Sequence, residues 1–212
     1  MGTIEALSLA MGTAWTSGIN LYATVAALGL AGRLEMIQLP QSLEVLTNPV
    51  VIAVACIMYA IEFFADKVPY VDNGWDVLHT FIRVPAGAIL AARSLGEMSP
   101  ALELTALLAG GAIALAAHGT KATTRLAINA SPEPFSNWTA SFAEDVAVLG
   151  GIWIIFNHPL LMVVLVLVFL ALVVWIVPKI FRLAKQGFAA LRNRLRGVKP
   201  NERAPTGTPQ MP

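Results

Sequence analysis

Apolar residues run through this chain in long blocks, and the polar residues inside those blocks recur every three or four positions, the spacing of one helix face. A helix that crosses a bilayer needs ~20 mostly apolar residues. The clearest such block is "PLLMVVLVLVFLALVVWIVP", Pro159 to Pro178, which carries no charge. "PVVIAVACIMYAIEFFADKVP", Pro49 to Pro69, is a second. Two longer blocks cover residues 4–33 and 100–129, and two with more polar N-terminal portions cover 75–95 and 138–156. The pattern predicts an all-α fold, a polytopic transmembrane helical bundle of about six spans, or five if one of the weaker blocks does not cross.

A weak internal repeat accompanies this pattern. The second and sixth blocks share an Asn-Pro or Asn-His-Pro start and a Val-Pro exit, while "TSGINLYATVAAL" and "AHGTKATTRLAIN" each set a glycine in a long helix. Repeats of this kind build many transporters, with the site near the repeat interface.

Five blocks carry one polar stripe each. The first has Thr13, Thr16, Ser17, Asn20 and Thr24; the second Tyr59, Glu62 and Asp66; the third Asp76, His79, Thr80 and Arg83, with Gly87 one turn on and Pro85 expected to bend the helix. The fourth has His118, Lys121, Arg125 and Asn129, and the fifth Ser141, Glu144 and Asp145. An ionisable group at the bilayer centre costs ~3 kcal/mol even on lenient insertion scales, so these stripes turn to the bundle interior or a wet cavity. The sixth block has no stripe and belongs at the lipid-facing periphery.

Composition agrees: 57% of the 212 residues are hydrophobic and only 13% charged, against roughly 25% charged in soluble domains. Mean hydropathy is +0.69. The net charge of +1 is uninformative, but Lys179, Arg182, Lys185, Arg192, Arg194, Arg196, Lys199 and Arg203 crowd the C-terminus. By the positive-inside tendency that end is cytoplasmic, in the cell inner membrane. Residues 1–186 read as the transmembrane helical domain. Residues 187–212 read as a basic, partly disordered tail lying near anionic lipid headgroups. "MGTIEALSLAMG" lacks the basic start of a cleaved signal peptide and the serine or threonine of a myristoylation signal. The single Cys56 excludes a disulfide within one chain and reads as a small core residue; "NWT" at Asn137 matches a glycosylation sequon too short to be specific.

The stretch "EFFADKVPYVDNGWDVLHTFIR", residues 62–83, is the most unusual. Pro69 is expected to end one helix, Asp72 to cap the next after an Asn-Gly turn, and Tyr70 and Trp75 to sit at the membrane interface. The acids Glu62, Asp66, Asp76, Glu144 and Asp145 nearly balance the bases Lys67, Arg83, Lys121 and Arg125. They form either a structural ion-pair network or a solute or ion site. His79 and His118 read as hydrogen-bonded members of that set rather than metal ligands. Gly18 and Gly119 serve either close helix packing or a helix break that exposes backbone groups.

"SGINLYATVAALGLAGR", "EFFADKVPYVDNGWDVLHTFIRVPAGA" and "HGTKATTRLAINASPEPFSNWTASFAED" resemble the bacterial membrane-protein family known as domain-of-unknown-function family 4126. The similarity covers roughly residues 5–180 and implies a multi-pass helical membrane protein, without an activity or a functional residue to carry over.

The residues favour a small-solute or ion transporter or channel. The binding or ion-path candidates are Ser17, Gly18, Asn20, Glu62, Asp66, Asp76, His79, Arg83, His118, Gly119, Lys121, Arg125, Glu144 and Asp145. A membrane-embedded enzyme acting on lipid or lipid phosphate is the first alternative, with Asp72, Asp76 and His79 spaced for a divalent metal. No hydrolase, transferase or metalloprotease signature supports it, so no catalytic residue and no cofactor is assigned. A non-catalytic assembly partner is the second, since runs such as "AGAILAA" favour tight helix contacts. Expected partners are the lipid bilayer, anionic headgroups at the tail and a second copy of the chain, with no nucleic acid.

Overall fold

A computed structural model describes residues 1–68, 71–130 and 134–195. Among these residues every regular element is helical: α1 (Thr3–Ile19), α2 (Leu21–Arg33), a 3-10 helix (Gln41–Thr47), α3 (Pro49–Ala65), α4 (Val71–Ser94), α5 (Pro100–Asn129), α6 (Pro134–Asn157) and α7 (Pro159–Leu195). The chain divides into two units, 1–170 and 171–212. The first holds the interior described below. In the second, the described part of α7 carries Lys179 over the Trp175 ring at 3.2 Å, a cation–π contact.

The first predicted helix, residues 4–33, is two helices. Asn20 is extended (φ −146°, ψ 101°), its N–H donates to the Thr16 carbonyl at the end of α1, and its side-chain oxygen accepts from the Ala23 N–H at the start of α2. Asparagine offers the backbone a partner of its own and so favours helix caps over helix interiors. The break falls two residues past Gly18. At Gly18 an added Cβ would stand 2.5 Å from the Ala114 carbonyl oxygen, so that glycine serves close packing of α1 on α5. Gly119 lies inside an unbroken α5 with nothing near an added Cβ. Neither glycine interrupts its helix.

Among the described residues three helices are long and apolar enough to cross a membrane: Pro100–Asn129, Phe135–Asn157 and Pro159–Ile180. The 3-10 helix and α3, bent by 64° between them, make a fourth if counted as one span. This number does not confirm the expected six, for physical reasons. Asn20 divides the first block into helices of 17 and 13 residues, and the N-terminal half of α4 carries too many ionisable groups. Helix α4 starts at Val71, so Asn73 and Gly74 lie in its first turns and not in a turn before it. Pro69, Tyr70, the Asp72 side chain and the tail beyond residue 195 lie outside the described residues.

The members of the proposed repeat also part company. Asn48 caps α3, its side chain accepting from the Val50 N–H with Pro49 in the first turn, and α7 likewise starts on a proline. Yet α3 ends at Ala65, whereas Pro178 lies inside α7.

The polarity of unit 1 runs opposite to that of a soluble domain. Outward faces are apolar: Val50, Phe81, Leu108, Phe142 and Leu165 are all exposed. Cys56, expected in the core, is exposed on the outer face of α3. The N-terminal part of α7 is peripheral, with only Met162 and Val166, four residues apart, fully buried. Inside, Leu9, Ala14, Leu28, Ala114 and Val148 form an apolar core, and the charged residues sit beside it.

Candidate functional site

One helix end, two helix faces and one mid-helix glutamate build the interior cluster. The end of α3 supplies Glu62 and Asp66; α4 supplies Asp76, His79 and Arg83 at spacings of three and four. His118, Lys121 and Arg125 descend one face of α5, and Glu144 projects from α6. Glu62, Arg83 and Arg125 are wholly buried, and Asp66, Asp76, His118 and Lys121 nearly so.

Arg83 Nη2 meets Glu62 Oε1 at 2.6 Å, and Arg83 Nη1 meets Asp76 Oδ1 at 3.1 Å. Lys121 Nζ lies 3.3 Å from Glu62, 3.2 Å from Asp66 and 3.2 Å from Glu144, so one ammonium serves three carboxylates with its three protons. Arg125 grips Glu144 as a fork, Nε to Oε1 and Nη2 to Oε2, each at 2.8 Å. Its Nη2 also lies 3.5 Å from Asp66 Oδ2, and Nη1 donates to the carbonyls of Asp66 and Asn137. The Asp66 carbonyl stands at the C-terminal end of α3, where a helix leaves carbonyls without intrahelical partners, and the Asn137 carbonyl stands in the first turns of α6.

Arginine can only donate, so the 3.0 Å contact of Arg83 Nη1 with His118 Nδ1 makes that nitrogen an acceptor. The proton of His118 is therefore on Nε2, 2.8 Å from Thr80 Oγ1 and 3.1 Å from the Asp76 carbonyl. His79 takes the other tautomer. Its Nδ1 faces the Trp75 carbonyl at 2.8 Å and must donate, leaving Nε2 of the neutral ring to accept from the Tyr22 hydroxyl at 3.1 Å. Both ring nitrogens of each histidine are thereby engaged. Among the described residues no group of three or more His, Cys, Asp or Glu side chains could hold a metal ion.

Among the described residues, four carboxylates, Glu62, Asp66, Asp76 and Glu144, face three cations, Arg83, Lys121 and Arg125, which leaves one negative charge over. Glu62 Oε2, Asp66 Oδ1 and Asp76 Oδ2 are buried with no donor among the described residues, and Arg83 Nε is buried with no acceptor among them.

The remaining candidates lie apart from these ion pairs. Asp145 faces Tyr59. Ser17 donates to the Ala14 carbonyl in its own helix, packed by Gly87, and Gly119 is remote. Asn20 stands at the helix break, two residues from Tyr22. Tyr22 and Asn137 are the polar partners that helical spacing did not single out, whereas Thr80 belongs to the stripe expected on α4 and meets His118. Trp75, expected at the interface, stacks on His79 with ring centroids 4.4 Å apart. Asn137, the sequon asparagine, is wholly buried on α6 and cannot serve as a glycan acceptor, which needs a surface loop.

A family model described as a domain of unknown function, DUF4126, matches residues 7–179. The chain belongs to the DUF4126 family. Every charged member of the cluster lies inside the matched range, so the DUF4126 domain contains the whole candidate site. No curated protein and no solved structure matches the chain.

Proposed function

We propose that this DUF4126 protein is a multi-pass membrane protein that transports a small ion or solute across the bilayer, with the buried charged cluster as its binding site. One observation carries the reading: a buried set of charged groups drawn from four helices in which acids outnumber bases. A set built only to pin helices gains nothing from an unmatched buried charge, which costs free energy unless something neutralises it. A transported cation is such a neutraliser. The break at Asn20 supports the same reading, because interrupted helices in transporters bring backbone groups to the site, and Tyr22 beyond the break reaches His79.

The apolar outer face of unit 1 and the three long apolar helices support a bilayer setting. The exposed Lys179, Arg182, Lys185 and Arg192 favour a cytoplasmic C-terminus at the inner membrane, near anionic headgroups. The test is cation flux into vesicles carrying the purified protein, compared with protein-free vesicles. Flux above that background supports transport. Background-level flux for every cation tried would leave the cluster as a brace between α3, α4, α5 and α6, a reading favoured by the pairing of all three bases.

A further inference from the structure

The acids and bases of the cluster alternate as a ladder. Glu144 and Asp66 share Lys121 and Arg125; Asp66 and Glu62 share Lys121; Glu62 and Asp76 share Arg83. This sharing has a consequence for where one extra positive charge can reside. Neutralise Glu62, and Arg83 keeps Asp76 while Lys121 keeps Asp66 and Glu144. Neutralise Asp76, and Arg83 keeps Glu62. Neutralise Asp66 or Glu144, and the other still pairs Arg125, with Lys121 retaining Glu62 as well. Any one of the four acids can lose its charge without leaving a buried cation unpaired. Two at once leave the cluster with one positive charge over, and two of the pairs strand a cation: with Glu62 and Asp76 neutral Arg83 has no carboxylate, and with Asp66 and Glu144 neutral Arg125 has none.

We infer that the ion taken up by the cluster is a single proton, shared among Glu144, Asp66, Glu62 and Asp76, and that it enters at Glu144 from the cavity between α1, α5 and α6. This rests on the transport reading and names its ion. A proton on Glu62 Oε2, Asp66 Oδ1 or Asp76 Oδ2, the oxygens no cation holds, removes the surplus charge, turns that oxygen into an O–H donor and needs no coordination shell. A metal cation needs several ligands, and among the described residues no three His, Cys, Asp or Glu side chains are placed to hold one; the three carboxylates that do converge meet on Lys121 Nζ. The wholly buried Asn137 amide, with neither Oδ1 nor Nδ2 partnered among the described residues, is a further polar group for the path beside Arg125.

The entrance follows from exposure and shape. Glu144 is 16% exposed, while no other side chain of the ion pairs exceeds 4%. A cavity of about 290 Å³ opens onto it, lined by Trp15, Ile19, Thr120, Lys121, Glu144 and Phe169. Uptake there breaks an O–H bond of hydronium in the cavity and forms the O–H bond of the Glu144 carboxylic acid, leaving neutral water. The charged groups facing the proton along the ladder are Lys121 and Arg125 from α5 and Arg83 from α4. His118 stands beside Arg83, Lys67 and Asp145 lie near Asp66, and Tyr59 lies beside Asp145.

The experiment is proton influx into vesicles loaded with a pH-sensitive dye, the membrane potential clamped with potassium and an ionophore, with sodium and potassium influx measured in separate vesicles that hold no ionophore. Wild-type protein is expected to carry protons and neither metal ion. Glu144→Gln is expected to fall to the protein-free rate. Because that variant disturbs an ion pair, Ala143→Trp provides a second arm: it fills the cavity, whose wall includes Ala143, and leaves every charge in place. Gel filtration in detergent reports whether each variant is folded. Folded Ala143→Trp is expected to slow proton influx severalfold; wild-type influx in it, or in Glu144→Gln, overturns the assigned route. Sodium or potassium influx without proton influx overturns the proton and leaves transport standing. No influx of any cation overturns both.

Discussion

Arg83 and Glu62, 21 residues apart in sequence, meet at 2.6 Å with neither side chain exposed to any degree. Each also touches another member of the cluster, Arg83 through Asp76 and Glu62 through Lys121. The pair is the joint between α3, α4 and α5, so its removal acts on all three.

Arg83→Met is expected to destabilise the protein by about 3–5 kcal/mol, because it strips the cation from Glu62 and Asp76 and leaves both carboxylates short of partners. Arg83→Met with Glu62→Met should recover part of that loss. Unfolding in detergent titrated with denaturant measures both variants, and a double variant no more stable than the single one would contradict the pairing.

Gly18 and Gly119 should respond in opposite ways. Gly18→Val drives side-chain atoms into the Ala114 backbone and the Ala117 methyl, at a cost of about 1–3 kcal/mol. Gly119→Ala adds a methyl in open space inside a helix and should stabilise α5 by up to about 1 kcal/mol. Thermal unfolding of the two variants side by side is the check.

Asn20→Ala removes the side-chain acceptor for the Ala23 N–H and should cost about 0.5–2 kcal/mol. Asn20→Asp and Asn20→Ser, which keep an acceptor, should retain more of the stability, since what matters there is the cap. Equal losses in all three variants would count against the cap.

The neighbouring acids Glu144 and Asp145 separate cleanly. Glu144→Gln weakens the fork on Arg125 and the contact with Lys121, whereas Asp145→Asn touches neither. The first should lower the unfolding midpoint distinctly more than the second, as thermal scans of the two proteins would register.

Much of the site was legible from spacing alone. Asp76, His79 and Arg83 on one helix, and His118, Lys121 and Arg125 on another, share faces whatever their neighbours do, so the residues that can meet follow from helical geometry. The break at Asn20 was less visible, because it depends on a side chain competing for backbone hydrogen bonds, and Gly18 nearby offers a more familiar signal. Tyr22 and Asn137 were not read as neighbours of the cluster for another reason. Tyr22 belongs to no charged stripe and Asn137 reads as part of a sequon, and only the crossing of helices reveals that one meets His79 and the other lies wholly buried beside Arg125. Hydrophobic runs do not show where a helix divides, so the six expected crossings are matched by only three or four helices long and apolar enough to span among the described residues.

Glu62 lies at the centre of the ladder, bridging Arg83 and Lys121, and its replacement bears most directly on the claim that the cluster conducts. The measurement is cation flux, protons included, in vesicles reconstituted with wild-type protein or Glu62→Gln, each shown by gel filtration to be folded. Flux in the wild type that falls to the protein-free rate in Glu62→Gln is the predicted result. Equal flux in the two proteins, or none above protein-free vesicles in either, would contradict it.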